Sequence, residues 1–150
     1  MSDSDHRMNF NPSLPPGWHD QTVYHFRGPE IDGMPHVIVV IIDRNMTDPD
    51  LASFVERQTD PLRYNLQGIE ILKDESITID GGNQAHEFVY QWIPGEGVRL
   101  YQKYVFVIKD GMGFTISGSF SKRSLKMLGG QMTQLIETLL PGTYEQVESD

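Results

Sequence analysis

Residues 36–45 read HVIVVIIDRN, and the six consecutive apolar residues Val37 to Ile42 constrain the fold more than any other stretch. A strand with one face in water alternates apolar and polar residues, because successive side chains point to opposite sides of the sheet. This stretch does not alternate. It is far shorter than the roughly 20 apolar residues a membrane-spanning helix needs, and its three valines favour extended backbone. It reads as a strand that is apolar on both faces, each covered either by the rest of the chain or by an apolar partner.

The length of 150 residues fits one domain. It is expected to span residues 8–143, between a polar tail at 1–7 and an acidic tail at 144–150. A net charge of -9, from 21 acidic and 12 basic residues, sets a repulsive field against polyanions, so neither a nucleic-acid partner nor stable association with a membrane surface is expected. The chain has no cysteine, which removes disulfides and thiolate chemistry. Its start, MSDSDHRMNFNPSLPPGW, lacks the basic opening and apolar core of a signal peptide, and a cytoplasmic protein is expected.

Punctuation by turn residues divides the chain. Pro15-Pro16-Gly17 marks a turn with Trp18 as an apolar anchor beyond it; Thr22–Arg27 and the opening stretch form an antiparallel pair. Thr47 or Asp48 caps a helix with Pro49 in its first turn, and Leu51, Phe54, Val55, Gln58, Leu62 and Leu66 share one face. Pro61 is expected to kink or divide this helix near Asp60. Strands follow at 69–79 (broken near Asp74), 85–93, 98–109 and 112–120, separated by Asp80-Gly81-Gly82-Asn83, Pro94-Gly95-Glu96-Gly97 and Asp110-Gly111. A last helix carries Leu125, Leu128, Met132, Leu135, Ile136 and Leu139 and stops at Pro141-Gly142; its interior Gly129-Gly130 suggests close approach to the sheet. The expected fold is α+β, with an antiparallel sheet of six or seven strands and both helices packed on one face, leaving the other face apolar and uncovered.

The catalytic inventory is thin. The five histidines (His6, His19, His25, His36, His86) form no close metal pair, so no metal is expected. Ser117 and Ser119 in TISGSF lack the glycines of a nucleophile elbow, and Gly111-Met112-Gly113 joins two strands and reads as a hairpin, not a dinucleotide loop. The carboxylate pairs Asp43/Asp48 and Asp74/Glu75 read as solvated loop charges. Gln58 and Gln102 stand beside apolar residues, either as ordinary surface amides or as donors and acceptors inside an apolar groove.

The order of elements resembles the DcrB-like family, and within it the Eag chaperones of type VI secretion, over roughly residues 8–141. The stretches that carry the resemblance are SLPPGWHDQTVYHF, DLASFVERQ and YQKYVFV before a C-terminal helix. It implies a curved sheet of the Mog1/PsbP type and a non-enzymatic, cofactor-free homodimer whose concave face holds the N-terminal transmembrane helices of an effector before loading. The lipobox of the family's secreted lipoprotein members is absent. Carried over by position, the implied guest-binding residues are Val23 and His25 (where an aliphatic residue is usual), Val39 and Ile41 (with the inward parity left open), Gln58, and Gln102 or Tyr104. The rival readings are a self-dimerising interaction domain without a chaperone role and, last, a small-ligand pocket or an enzyme.

Overall fold

The computed structural model describes residues 13–139 apart from Pro94 and Glu96. The tails and outer domain limits expected from the sequence, and the Pro141-Gly142 stop, lie outside these residues. In chain order the elements are β1 (Gln21–Arg27), β2 (Val37–Asp43), α1 (Leu51–Asn65), β3 (Glu70–Ile79), β4 (Asn83–Trp92), β5 (Leu100–Lys109), β6 (Met112–Phe120) and α2 (Lys122–Leu139). The strands form one six-stranded sheet in the order β1-β2-β6-β5-β4-β3, antiparallel throughout. The α+β class and open antiparallel sheet are as the sequence suggests.

The placement of the helices differs. Leu128, Met132 and Ile136 of α2 pack with Val40, Ile42, Val105, Val107, Phe114, Ile116 and Phe120. Phe54 and Val55 of α1 pack with Phe88, Tyr90 and Phe106, which have the opposite parity along β4 and β5. The helices therefore lie on opposite faces. The reason is visible in β5, where Val105 and Val107 point one way and Phe106 the other, and all three are at most 1% exposed. A strand apolar on both sides at the centre of a sheet needs cover on both sides.

Two glycines of β6 set how closely each helix can approach. A Cβ at Gly113 would lie 2.6 Å from Met46 Sδ and 2.9 Å from Phe54 Cζ, so α1 is seated through the missing side chain. On the other face, a Cβ at Gly118 would stand 3.1 Å from the Phe120 ring and 3.5 Å from Met132 Sδ. The hairpin before them turns through Asp110 (φ 54) and Gly111 (φ 75), the paired positive angles of a type I′ turn.

The helix ends also depart from expectation. Asp50, not Thr47 or Asp48, caps α1 by accepting the Ser53 amide at 2.8 Å, and that bond holds its carboxyl below the usual range. Pro61 does not divide the helix, which continues to Asn65. For α2, Ser121 and Ser124 exchange reciprocal bonds: the Ser124 amide donates to Ser121 Oγ (3.0 Å) and the Ser121 amide to Ser124 Oγ (2.8 Å). β3 runs unbroken past Asp74, with its register shift between Ile71 and Lys73. Trp18 is 70% exposed and anchors nothing among the described residues.

The two glycines of α2 differ: a Cβ at the buried Gly129 would stand 3.2 Å from Leu125 Cδ1 and 4.0 Å from Lys103 Nζ of the sheet, whereas a Cβ at Gly130 would meet nothing within 4 Å. Beside it, the Gly129 carbonyl accepts from Lys103 Nζ at 3.2 Å, and Lys103 also pairs with Glu87 at 3.1 Å. Both charged residues are only 9% exposed, so this triad satisfies an ion pair beneath α2. Two opposite outcomes follow for glycine substitutions, read by urea unfolding. Gly113→Ala is expected to lose about 1–3 kcal/mol through overpacking against Phe54 and Met46. Gly130→Ala, in an open helical position, is expected to gain about 0.5–1 kcal/mol.

Candidate functional site

Side-chain alternation decides which half of HVIVVIIDRN faces outward. Val40 (0% exposed) and Ile42 (8%) point to α2, so Val37, Val39 and Ile41 point to the α1 face. The ladder then extends that face across the sheet. Val23 of β1 stands opposite Ile41, which stands opposite Thr115 of β6; one step along, His25, Val39, Ser117 and Tyr104 form a continuous row over four strands. Gln102 stands opposite Ser119 on the same face. Helix α1 packs over β4 and β5 and reaches β6 at Gly113 through Phe54, so β1, β2 and the far part of β6 lie beside it: Val23 is 54% exposed, His25 is exposed, Val39, Ile41 and Ser117 are half-buried, and Thr115 is buried.

The structure thus brings together six of the residues singled out in the sequence, Val23, His25, Val39, Ile41, Gln102 and Tyr104, on one surface. Gln58 is half-buried on α1, at the helical position between Phe54 and Leu62, and so on the side turned to this sheet face. Its amide has no hydrogen bond within the described residues. Gln102 is already engaged, accepting from the Ser119 hydroxyl. Tyr104 stacks on Phe106 at 5.7 Å and on Tyr90 at 6.3 Å. Burial raises the pKa of both phenols, which keeps them neutral hydrogen-bonding groups. The polar line Thr115–Ser117–Ser119 down β6 was not singled out as a site from sequence; only the strand register sets these hydroxyls beside Val39 and Ile41.

A second recess, a cleft of about 600 Å³, lies on the far side of α1 between that helix and β3–β4. On its sheet side the charges are paired. Asp74 accepts from Arg63 (2.6 Å) and from His86 Nε2 (2.5 Å), while Arg63 also lies over the Phe88 ring at 4.9 Å. Ser76 stands opposite His86 across the β3–β4 ladder, yet no hydrogen bond joins hydroxyl and ring. The other carboxylate pair converges on a cation: Arg57 meets Asp48 at 2.7 Å and Asp43 at 3.5 Å. Among the described residues no three metal-ligating side chains converge, and no helix is long and apolar enough to cross a membrane.

Fold and site together define a class: a small α+β protein with one sheet face sealed by a C-terminal helix and the other half open beside a first helix. The chain belongs to the DcrB family, whose model matches residues 12–138. It is similar to PA94 from Pseudomonas aeruginosa, a protein of unknown function described as a candidate regulator. The two share 26% identity over 85% of this chain and 88% of that one, with a TM-score of 0.68. Similarity also extends to the solution structure of CyanoP, the cyanobacterial PsbP of Synechocystis sp. PCC 6803 (13% identity, 85% and 96% covered, TM-score 0.49). A further match is LpqN of Mycobacterium tuberculosis, involved in cell envelope biogenesis (18% identity, 89% and 92% covered, TM-score 0.46). Among curated proteins the chain has no match.

The Asp74 network makes a prediction about acid stability. Burial alone would raise the Asp74 carboxyl, but the bonds from Arg63 and His86 outweigh it and hold the group below its usual range. A depressed native pKa contributes stability above the unfolded value, about 3.9, and loses it as pH falls through the native value. Asp74→Asn is therefore expected to melt below wild type at pH 7, with the gap closing as pH falls below about 4. Parallel melts across that range check it; a gap independent of pH contradicts the assignment.

Proposed function

We propose that the protein is a non-enzymatic chaperone or adaptor of the Eag type, which holds hydrophobic N-terminal helices of a type VI secretion effector on its open sheet face before loading. The observation that supports this most is the row His25–Val39–Ser117–Tyr104 with Val23 and Ile41 beside it, running from the exposed edge strand through half-buried side chains to the inner edge of α1. Three strands spaced about 4.8 Å apart give a floor of roughly 10 Å, close to the width of one α-helix. The match to PA94 over most of both chains supports the fold on which this reading rests, and brings no activity with it.

The mechanism is partition. An apolar helix leaving water for Val23, Val39 and Ile41 gains on the order of 25 cal/mol per Å² buried, before the costs of association. The half-buried Ser117 hydroxyl and the uncommitted Gln58 amide lie where they can meet small polar groups on the guest, whose backbone is otherwise satisfied internally. In this reading the protein acts in the cytoplasm as a homodimer, needs no cofactor or metal, and binds neither nucleic acid nor membrane stably.

Co-expression with candidate effectors, followed by pull-down, tests the proposal: full-length effectors are retained, and versions lacking the N-terminal hydrophobic segment are not. Adjacent residues of β2 then give a paired control. Val39→Asp and Ile41→Asp are expected to abolish retention while melting within about 1 kcal/mol of wild type, since the carboxylate stays in water until a guest desolvates it. Val40→Asp, fully buried under α2, is expected to unfold the protein. Gln58→Ala weakens binding by about 1–3 kcal/mol. A Val39→Asp protein that melts normally and still retains the hydrophobic segment overturns the proposal.

A further inference from the structure

A third recess, of about 210 Å³, lies at the margin of the α2 face, where the loop between β1 and β2 meets the helix. Its walls are apolar and partly aromatic: Phe26 and Ile38, which stand opposite each other on β1 and β2, Phe120 at the end of β6, and Leu128 and Leu135 of α2. Gln131, about one helical turn from each leucine, is exposed at its mouth. His36 completes the lining and is only 5% exposed. Three contacts hold it: the Gly28 amide donates to the His36 carbonyl at 2.8 Å, the Pro29 carbonyl lies 3.0 Å from Nδ1, and the imidazole stands 5.8 Å from the Phe120 ring. A carbonyl oxygen only accepts, so Nδ1 carries the proton, and in the neutral ring Nε2 is left as a lone-pair acceptor. Nε2 is buried and meets no donor among the described residues. A buried acceptor without a donor costs free energy that a matching group recovers.

We propose that this recess is a binding site for a small, uncharged, mainly apolar molecule carrying one hydroxyl, which donates to His36 Nε2 while the body of the molecule packs among Phe26, Phe120, Leu128 and Leu135. The preorganised acceptor sets the specificity, and the apolar walls supply the affinity.

Charge decides against ionic ligands. Arg27 is the one formally charged residue of the lining, and it has the strand parity of Val23 and His25, which point to the other face of the sheet. An ammonium group therefore meets no carboxylate in the lining, and a carboxylate has no proton to offer Nε2. Size sets the rest. A dry apolar cavity of about 150 Å³ already takes benzene, so one substituted six-membered ring fits here. The site lies on the face opposite the Val23–Val39 surface, and it stands whether or not that surface receives a guest helix.

Titration of the full chain with p-cresol and with p-xylene, in which a methyl group replaces the hydroxyl at similar size, tests the assignment. By calorimetry, p-cresol is expected to bind about 10-fold more tightly than p-xylene, the worth of one buried hydrogen bond. With isotope-labelled histidine, the His36 Nε2 resonance is expected to shift on saturation with p-cresol and to stay in place with p-xylene. His36→Phe keeps a ring against Phe120, removes the acceptor and is expected to abolish the preference for p-cresol. Should that variant fail to fold, His36→Asn takes its place, since an amide at the Nδ1 position still donates to Pro29 and leaves no acceptor at Nε2. Leu135→Trp, at a half-buried position, fills the recess and is expected to abolish binding of both ligands. Equal affinity of wild type for the two ligands, a Nε2 resonance unmoved by saturating p-cresol, as for a nitrogen that meets water only, or binding that survives Leu135→Trp overturns the inference.

Discussion

Phe54 lies against the backbone of β6 at Gly113, and this contact fixes how far α1 reaches across the sheet. With Phe54 seated there, Val55 meets Phe88 and Phe106, and the helix covers β4 and β5. Nothing carries it further toward β1. Arg57 closes that flank by holding Asp43 and Asp48, tying the start of α1 to the end of β2. A helix about 10–12 Å wide cannot cover a sheet face of about 24 Å, so three strands stay open on the α1 side.

The opposite face has no such remainder. α2 lies over the central strands β6 and β5, and the apolar side chains of β2 reach it from one side while Ala85 and Ile79 reach it from the other. The charged exception, Lys103 with Glu87, is satisfied by the Gly129 carbonyl of the helix itself. One sheet thus shows two faces of different character: a sealed core that sets stability, and a half-open surface that is apolar at β2 and polar at β6, bordered by the aromatic side chains of β5 that pack under α1. The doubled apolar pattern of Val37–Ile42 is the sequence expression of that arrangement, one parity for each face.

Much of this was legible in the chain. The turn residues located every strand, helical spacing located both helices, and six of the candidate residues fall on one surface because β-strand parity is a local property. What failed was non-local. The side each helix packs on depends on strand order, and the order β1-β2-β6-β5-β4-β3 places the C-terminal hairpin in the middle of the sheet, which no local pattern in β6 announces. Gly113 read as part of a turn because its partner, Phe54, is 59 residues away in sequence. The inward parity of β2 stayed open for the same reason: both parities are apolar, and only the position of α2 separates them. The hydroxyl line on β6 was invisible until register set it beside β2.

In the proposed function the β1–β2–β6 face beside α1, and not the α2 face or the cleft behind α1, receives an apolar helix. Amide and methyl chemical-shift mapping with a soluble, lysine-flanked peptide carrying the candidate hydrophobic segment addresses it most directly. The account predicts saturable changes at Val23, His25, Val39, Ile41, Ser117 and Gln58, with Val40, Ile116 and Met132 unmoved. Changes centred on α2, or on Arg63, Asp74 and His86, would contradict it.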